Sequence, residues 1–111
     1  MSNIDKSMNG NKIKLELGQY LRQLRKEKGE TLHQVSKGTD IDSPLLSKIE
    51  RGERLPTSEQ IKKFAKHFKT AENTLRVKLT AEKILREYGA NEVTLDALRI
   101  VKEEIVRYNK I

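Results

Sequence analysis

Residues 31–52 read TLHQVSKGTDIDSPLLSKIERG, and the fold turns on how this stretch is interpreted. Thr31 is a hydroxyl residue suited to capping a helix start, and Leu32, Val35 and Ser36 behind it form a short helix. Gly38-Thr39-Asp40 ends that helix. Asp42-Ser43-Pro44 then supplies a capping acid followed by a proline in the first turn, where a missing N–H costs nothing. The helix it opens runs through Leu45, Leu46 and Ile49 and stops before Gly52, which takes a backbone conformation that residues with a Cβ resist. Two helices this short cannot bury a core alone. They must lean on flanking helices, and the outer face of the second is left to solvent.

The flanks supply that support. Upstream, Leu17, Tyr20, Leu21 and Leu24 recur at i, i+3, i+4 and i+7, the apolar stripe of an amphipathic helix, which Lys28-Gly29 closes. Residues 1–12 have no period and read as a flexible arm, with Lys6, Lys12 and the neighbouring Lys14 as its basic residues. Downstream, Thr57 and Gln60 make a capping-box start for a helix with Ile61, Phe64, Ala65 and Phe68 inward and Lys62, Lys63 and Lys66 on a solvated side. Thr70 is the expected cap of a fifth helix. Leu75 and Leu79 share one face of it; Val77, Ala81, Ile84, Leu85 and Tyr88 share another. Gly89 stops it, and a last helix starting between Asn91 and Leu95 carries Leu98, Val101, Ile105 and Tyr108 on one stripe. Two apolar faces on the fifth helix exceed what one small core needs, so a helical hairpin is expected that packs on itself or on a second chain. The organisation expected is an arm over 1–12, a domain over 13–71 and a dimerisation tail over 72–111.

Composition limits the function. The 111 residues hold 23 Lys+Arg against 16 Asp+Glu, a net charge of +7, so a polyanion is the first partner to expect. Without cysteine there is no disulfide framework, thiolate zinc site or cysteine nucleophile, and a reducing cytoplasm is the expected compartment. No apolar run approaches the ~20 residues of a membrane span, and the opening residues lack an apolar signal core. His33 and His67, the two histidines, fall in separate helices, His67 reading as a partly exposed residue beside Phe68; no metal and no cofactor are expected. Glu103 and Glu104 are adjacent and do not face each other as a catalytic pair would. With no glycine-rich phosphate loop and no Ser/His/Asp grouping, the chain does not read as an enzyme.

The run Leu46-Ser47-Lys48-Ile49-Glu50-Arg51-Gly52 resembles the most recognisable signature of the Cro/repressor-type helix-turn-helix family, often called the XRE family. The likeness extends from about Ile13 to Leu79. It implies an all-α fold, a five-helix λ-repressor-like helix-turn-helix domain, here with the helical hairpin tail added. It also implies that Ser43, Pro44 and Lys48 reach base edges, with Asp42, Leu45 and Ser47 flanking them, because the major groove admits one helix and only its outward face meets the bases. Arg25 and Glu50 match positions that the family uses for a structural ion pair. Phosphate contacts are expected from Thr31, His33 and Gln34, from Arg51 and Arg54, and from Thr57 and Ser58 at a helix start, where anions are favoured. Many members carry Gln just after the cap of the second helix; this chain has Leu32, which shifts that contact to His33 or a backbone N–H. The expected function is a sequence-specific transcriptional regulator, in this family most often a repressor, that binds double-stranded DNA as a homodimer on a near-palindromic operator. The contrasting expectation is an antitoxin-like interaction module whose tail holds a partner protein.

Overall fold

The computed structural model describes residues 16–109, and they form six helices: α1 (Leu17–Glu27), α2 (Leu32–Thr39), α3 (Ser43–Glu50), α4 (Ser58–Phe68), α5 (Glu72–Tyr88) and α6 (Glu92–Asn109). No strand occurs among the described residues, so the fold is all-α. The arm expected over residues 1–12, and Lys14 beside it, lie outside them.

Local chemistry sets three of the helix starts as the spacing predicts. Thr31 and Gln34 close a reciprocal capping box on α2, and Thr57 and Gln60 close another on α4. Asp42 Oδ1 accepts the Leu45 N–H at 2.9 Å and caps α3, with Pro44 in the first turn. The fourth expectation fails: Thr70 does not cap α5, whose N-cap residue is Ala71 without a side-chain bond. Thr70 instead belongs to the end of α4. Its N–H donates to the Ala65 carbonyl at 3.0 Å after Lys69 turns through φ 54°.

The start of α1 is capped from a distance. Glu16 offers no side-chain cap, and the Leu17 N–H donates to Glu82 Oε1 at 2.8 Å, sixty-five residues along the chain. Glu82 is 5% exposed, and a buried carboxylate needs partners. Its Oε2 accepts from Arg86 Nη2 at 2.6 Å, and Arg86 Nη2 also donates to the Gly52 carbonyl at 2.9 Å. A helix N-terminus and a guanidinium together satisfy the acid.

The apolar stripes meet in one core. Leu17 and Leu21 of α1, Val35 of α2, Leu46 and Ile49 of α3, and Ile61 and Phe64 of α4 are all buried. Leu75 and Leu79 of α5 join the same core. The packing therefore runs on through the division expected after residue 71, because the inward face of α5 closes the core beneath α1 and α4.

The last two helices do not close into a hairpin. Every residue of α6 except Thr94 is exposed. A hydrogen-bond network shapes the corner between the two helices: Asn91 Oδ1 accepts the Thr94 N–H at 2.9 Å, while Asn91 Nδ2 and Thr94 Oγ1 each donate to the Tyr88 carbonyl at 3.1 Å. Of the tail residues singled out by spacing, Ala81, Ile84 and Leu85 are half-buried, and Val77, Tyr88, Leu98, Val101, Ile105 and Tyr108 are exposed. The exposed large apolar residues of the described chain all fall at or after Val77. No described helix is long and apolar enough to cross a membrane.

Candidate nucleic-acid interface

The α2–turn–α3 unit is seated from below. Ile41, 4% exposed, anchors the turn between the two helices, and Asp40 before it takes the left-handed conformation at φ 63°. Gly18 of α1 lies directly under the end of α3: a Cβ there would stand 2.3 Å from the Ile49 carbonyl oxygen and 2.7 Å from that of Glu50. Glycine at this position lets the two backbones touch.

The same end of α3 is held by charge. Arg25 Nε donates to Glu50 Oε2 at 2.7 Å and Nη2 to Oε1 at 3.0 Å, a two-pronged pair. Arg25 Nη1 also donates to the Glu30 carbonyl at 3.0 Å, so one guanidinium joins α1, the loop before α2, and α3. The side chains are 13% and 12% exposed. The hydrogen bond to Glu50 raises the Arg25 pKa further above its ordinary value, against the smaller opposing effect of burial.

With its inner face and end fixed, α3 presents the rest outward. Pro44 and Lys48 are exposed, Ser43 and Ser47 half-buried, and their spacing puts them on one side of the helix. Asp42 stands at the edge of this face with one carboxylate oxygen committed to the cap. The Ser47 hydroxyl accepts from Arg51 Nη1. Arg51 is paired with Glu53 as well, Nε to Oε2 at 2.7 Å and Nη2 to Oε1 at 3.2 Å. That hydrogen bond, with the nearby charges of Arg51 and Lys48, holds the Glu53 carboxyl below the usual range. The pair is exposed, and an exposed pair contributes little net energy, so little opposes its giving way to another anion.

The remaining site candidates divide by partner. Thr31 and Gln34 are bonded to each other in the capping box, which commits the Gln34 carbonyl oxygen, and His33 beside them is exposed. Arg54 is exposed on the loop between α3 and α4. Thr57 is the cap of α4, and the adjacent Ser58 Oγ accepts from Arg76 Nη1 at 3.0 Å. Arg76, itself paired with Glu72, is thus a cation at the α4 start that the spacing did not identify. Residues 58 and 76 lie on different helices and leave no local signature. Glu82 did leave one, being a charged residue in line with the inward-facing Leu75 and Leu79.

His67 is half-buried beside Phe68, as its position in the sequence suggests, and it also has an acidic partner from outside its helix. Its side chain is only 11% exposed, and Nε2 lies 2.7 Å from Glu30 Oε1. The ring meets Phe68 edge-on at 4.9 Å and rests on Gly38, where a Cβ would come within 2.3 Å of it. The bond to His67 is the main cause holding the Glu30 carboxyl below its ordinary 4.5, with Lys28 assisting. A depressed carboxyl contributes stability above its unfolded value and loses it as pH falls through the folded value. Acid titration of the melting temperature should therefore show a loss below about pH 4.5 that is smaller in Glu30→Gln. An unchanged acid limb would separate this pair from acid stability.

A family model described as a helix-turn-helix domain matches residues 16–77, more than half of the chain. The matched span holds α1 to α4 and the first part of α5. No curated protein matches the chain.

Proposed function

We propose, from the premise that this chain belongs to the helix-turn-helix domain family in its XRE/Cro-like class, that it is a repressor reading a near-palindromic operator as a homodimer. The observation that carries this is α3. Its inner face is buried, its end is fixed by Gly18 and Arg25, and its outer face offers Ser43, Pro44 and Lys48 together. Lys48 donates to guanine O6 and N7, Ser43 donates to a base edge, and Pro44 makes an apolar contact such as a thymine methyl accepts. Asp42 and Ser47 support this surface, Asp42 by stiffening the first turn.

Phosphates are met around the rim by Thr31, His33 and Gln34 at the α2 start and by Arg54 in the loop. Arg51 joins them once phosphate replaces Glu53, and Arg76 joins Thr57 and Ser58 at the α4 start. These contacts set orientation and register. Repression is steric, by occupation of a promoter. The two copies meet through the apolar residues of α5 and α6, and two-fold symmetry places the reading helices about 34 Å apart on one face of the duplex.

Selection from random duplexes at about 150 mM salt, where non-specific phosphate binding is weakened, tests the proposal by enriching a palindrome. On the selected site Lys48→Ala should cost ~1–3 kcal/mol while binding to random duplex stays nearly unchanged. Arg54→Ala should weaken both alike and lower the salt slope by about one unit. Equal behaviour of the two variants would refute the division into reading and positioning residues. A second reading, an interaction module that holds another protein, is favoured by the exposed apolar face of α5 and α6. A selection that enriches nothing would make it the leading function.

A further inference from the structure

Between α5 and α6 lies an open apolar groove of about 600 Å³, bounded by Val77, Ala81, Ile84 and Leu85 on one side and by Leu98 on the other. The geometry points to one occupant, α6 of a second copy: two chains cross, each seating its last helix in the partner's groove. This rests on the homodimer reading above and specifies how the copies meet.

The spacing on both helices is that of interlocking seams. Val77, Ala81, Ile84 and Tyr88 are separated by four, three and four residues, and Leu98, Val101, Ile105 and Tyr108 by three, four and three. Apolar residues so spaced pack helix on helix at a shallow angle. The chain's own α6 does not fill its own groove. Gly89, at φ 90°, and the bonds of Asn91 and Thr94 to Tyr88 set the corner open.

Charge and area favour a second copy. The whole chain carries +7, yet α6 holds four acids (Glu92, Asp96, Glu103, Glu104) against three bases (Arg99, Lys102, Arg107). Two strongly basic molecules repel least where they meet along this helix, and the same balance makes α6 a poor surface for phosphate. A stable interface removes roughly 800 Å² from each partner. An 18-residue helix is only ~27 Å long, and pairing α6 with α6 alone would leave both grooves uncovered. Crossing covers the α6 stripe and the α5 groove of both copies at once, and the contact is self-complementary, as a two-fold interface must be.

The chain has no cysteine, so disulfide trapping starts from a silent background. Three double variants would be oxidised: Ala81→Cys with Leu98→Cys, with Val101→Cys, or with Ile105→Cys. All four positions lie on the groove or on exposed α6, and circular dichroism checks that the variants keep the parent's helix content. The expected result is a covalent two-chain species in at least one variant, with peptide mapping placing the bond between position 81 of one chain and α6 of the other. A bond from position 81 to α6 of the same chain, or no such bond in any variant, would overturn the crossing. Sedimentation equilibrium of the unmodified chain separates the two ideas. A dimer there keeps the homodimer reading when the crossing fails, and a monomer overturns both.

Discussion

Replacing Gly18 by alanine should lower the stability of the fold by about 3 kcal/mol. Helix propensity alone argues the opposite, since alanine is better than glycine by roughly 1 kcal/mol inside a helix. Packing decides the sign. The new methyl would sit 2.3 Å from the Ile49 carbonyl oxygen and 2.7 Å from that of Glu50. Both are backbone atoms at the end of α3, and neither can swing aside as the tip of a long side chain would. The strain is relieved only if α1 lifts away, which draws Arg25 off Glu50. For a domain of this size the melting temperature should fall by on the order of 10–20 °C. A Gly18→Ala protein as stable as its parent would mean that α1 is not seated this closely.

Glu50→Ala should cost ~2–4 kcal/mol. Breaking a buried pair by removing one partner typically costs ~3–5 kcal/mol, and this pair keeps some contact with water, which lowers the figure. The penalty arises from the charge left behind: Arg25 would retain the Glu30 carbonyl as a partner but face an apolar gap where two oxygens had been. The double variant Arg25→Met/Glu50→Leu should recover most of the loss, because no buried charge remains. Urea unfolding at constant slope measures both. If the double variant were no better than the single, packing and not stranded charge would be the cause.

What could be read from the sequence follows the range of each interaction. The capping pairs Thr31 with Gln34 and Thr57 with Gln60 act across three residues, so spacing reveals them. The inward leucines of α1 and α5 repeat with the helix period for the same reason. Arg25 opposite Glu50 was reached through family resemblance, since nothing local ties positions twenty-five apart. Contacts between distant segments left little trace: Arg76 with Ser58, His67 with Glu30, and the tight approach at Gly18. The tail shows the limit most clearly. Its two helices are visible as periods, but whether they close or stand apart depends on hydrogen bonds around Tyr88, Asn91 and Thr94, and periodicity does not encode an angle.

The bond from Leu17 to Glu82 has a consequence for synthesis. The first described helix leaves the ribosome long before its cap exists, because the acid that accepts its leading N–H is made sixty-five residues later. At ~5–20 residues per second the wait is on the order of 3–13 s. For most of that interval α1 lacks the leucines of α5 that complete its core, and its apolar face is open to whatever binds unfinished chains. The first described helix is thus among the last to become stable, and a chain cut short after residue 71 would lack Leu75, Leu79 and Glu82 and be prone to aggregation or degradation.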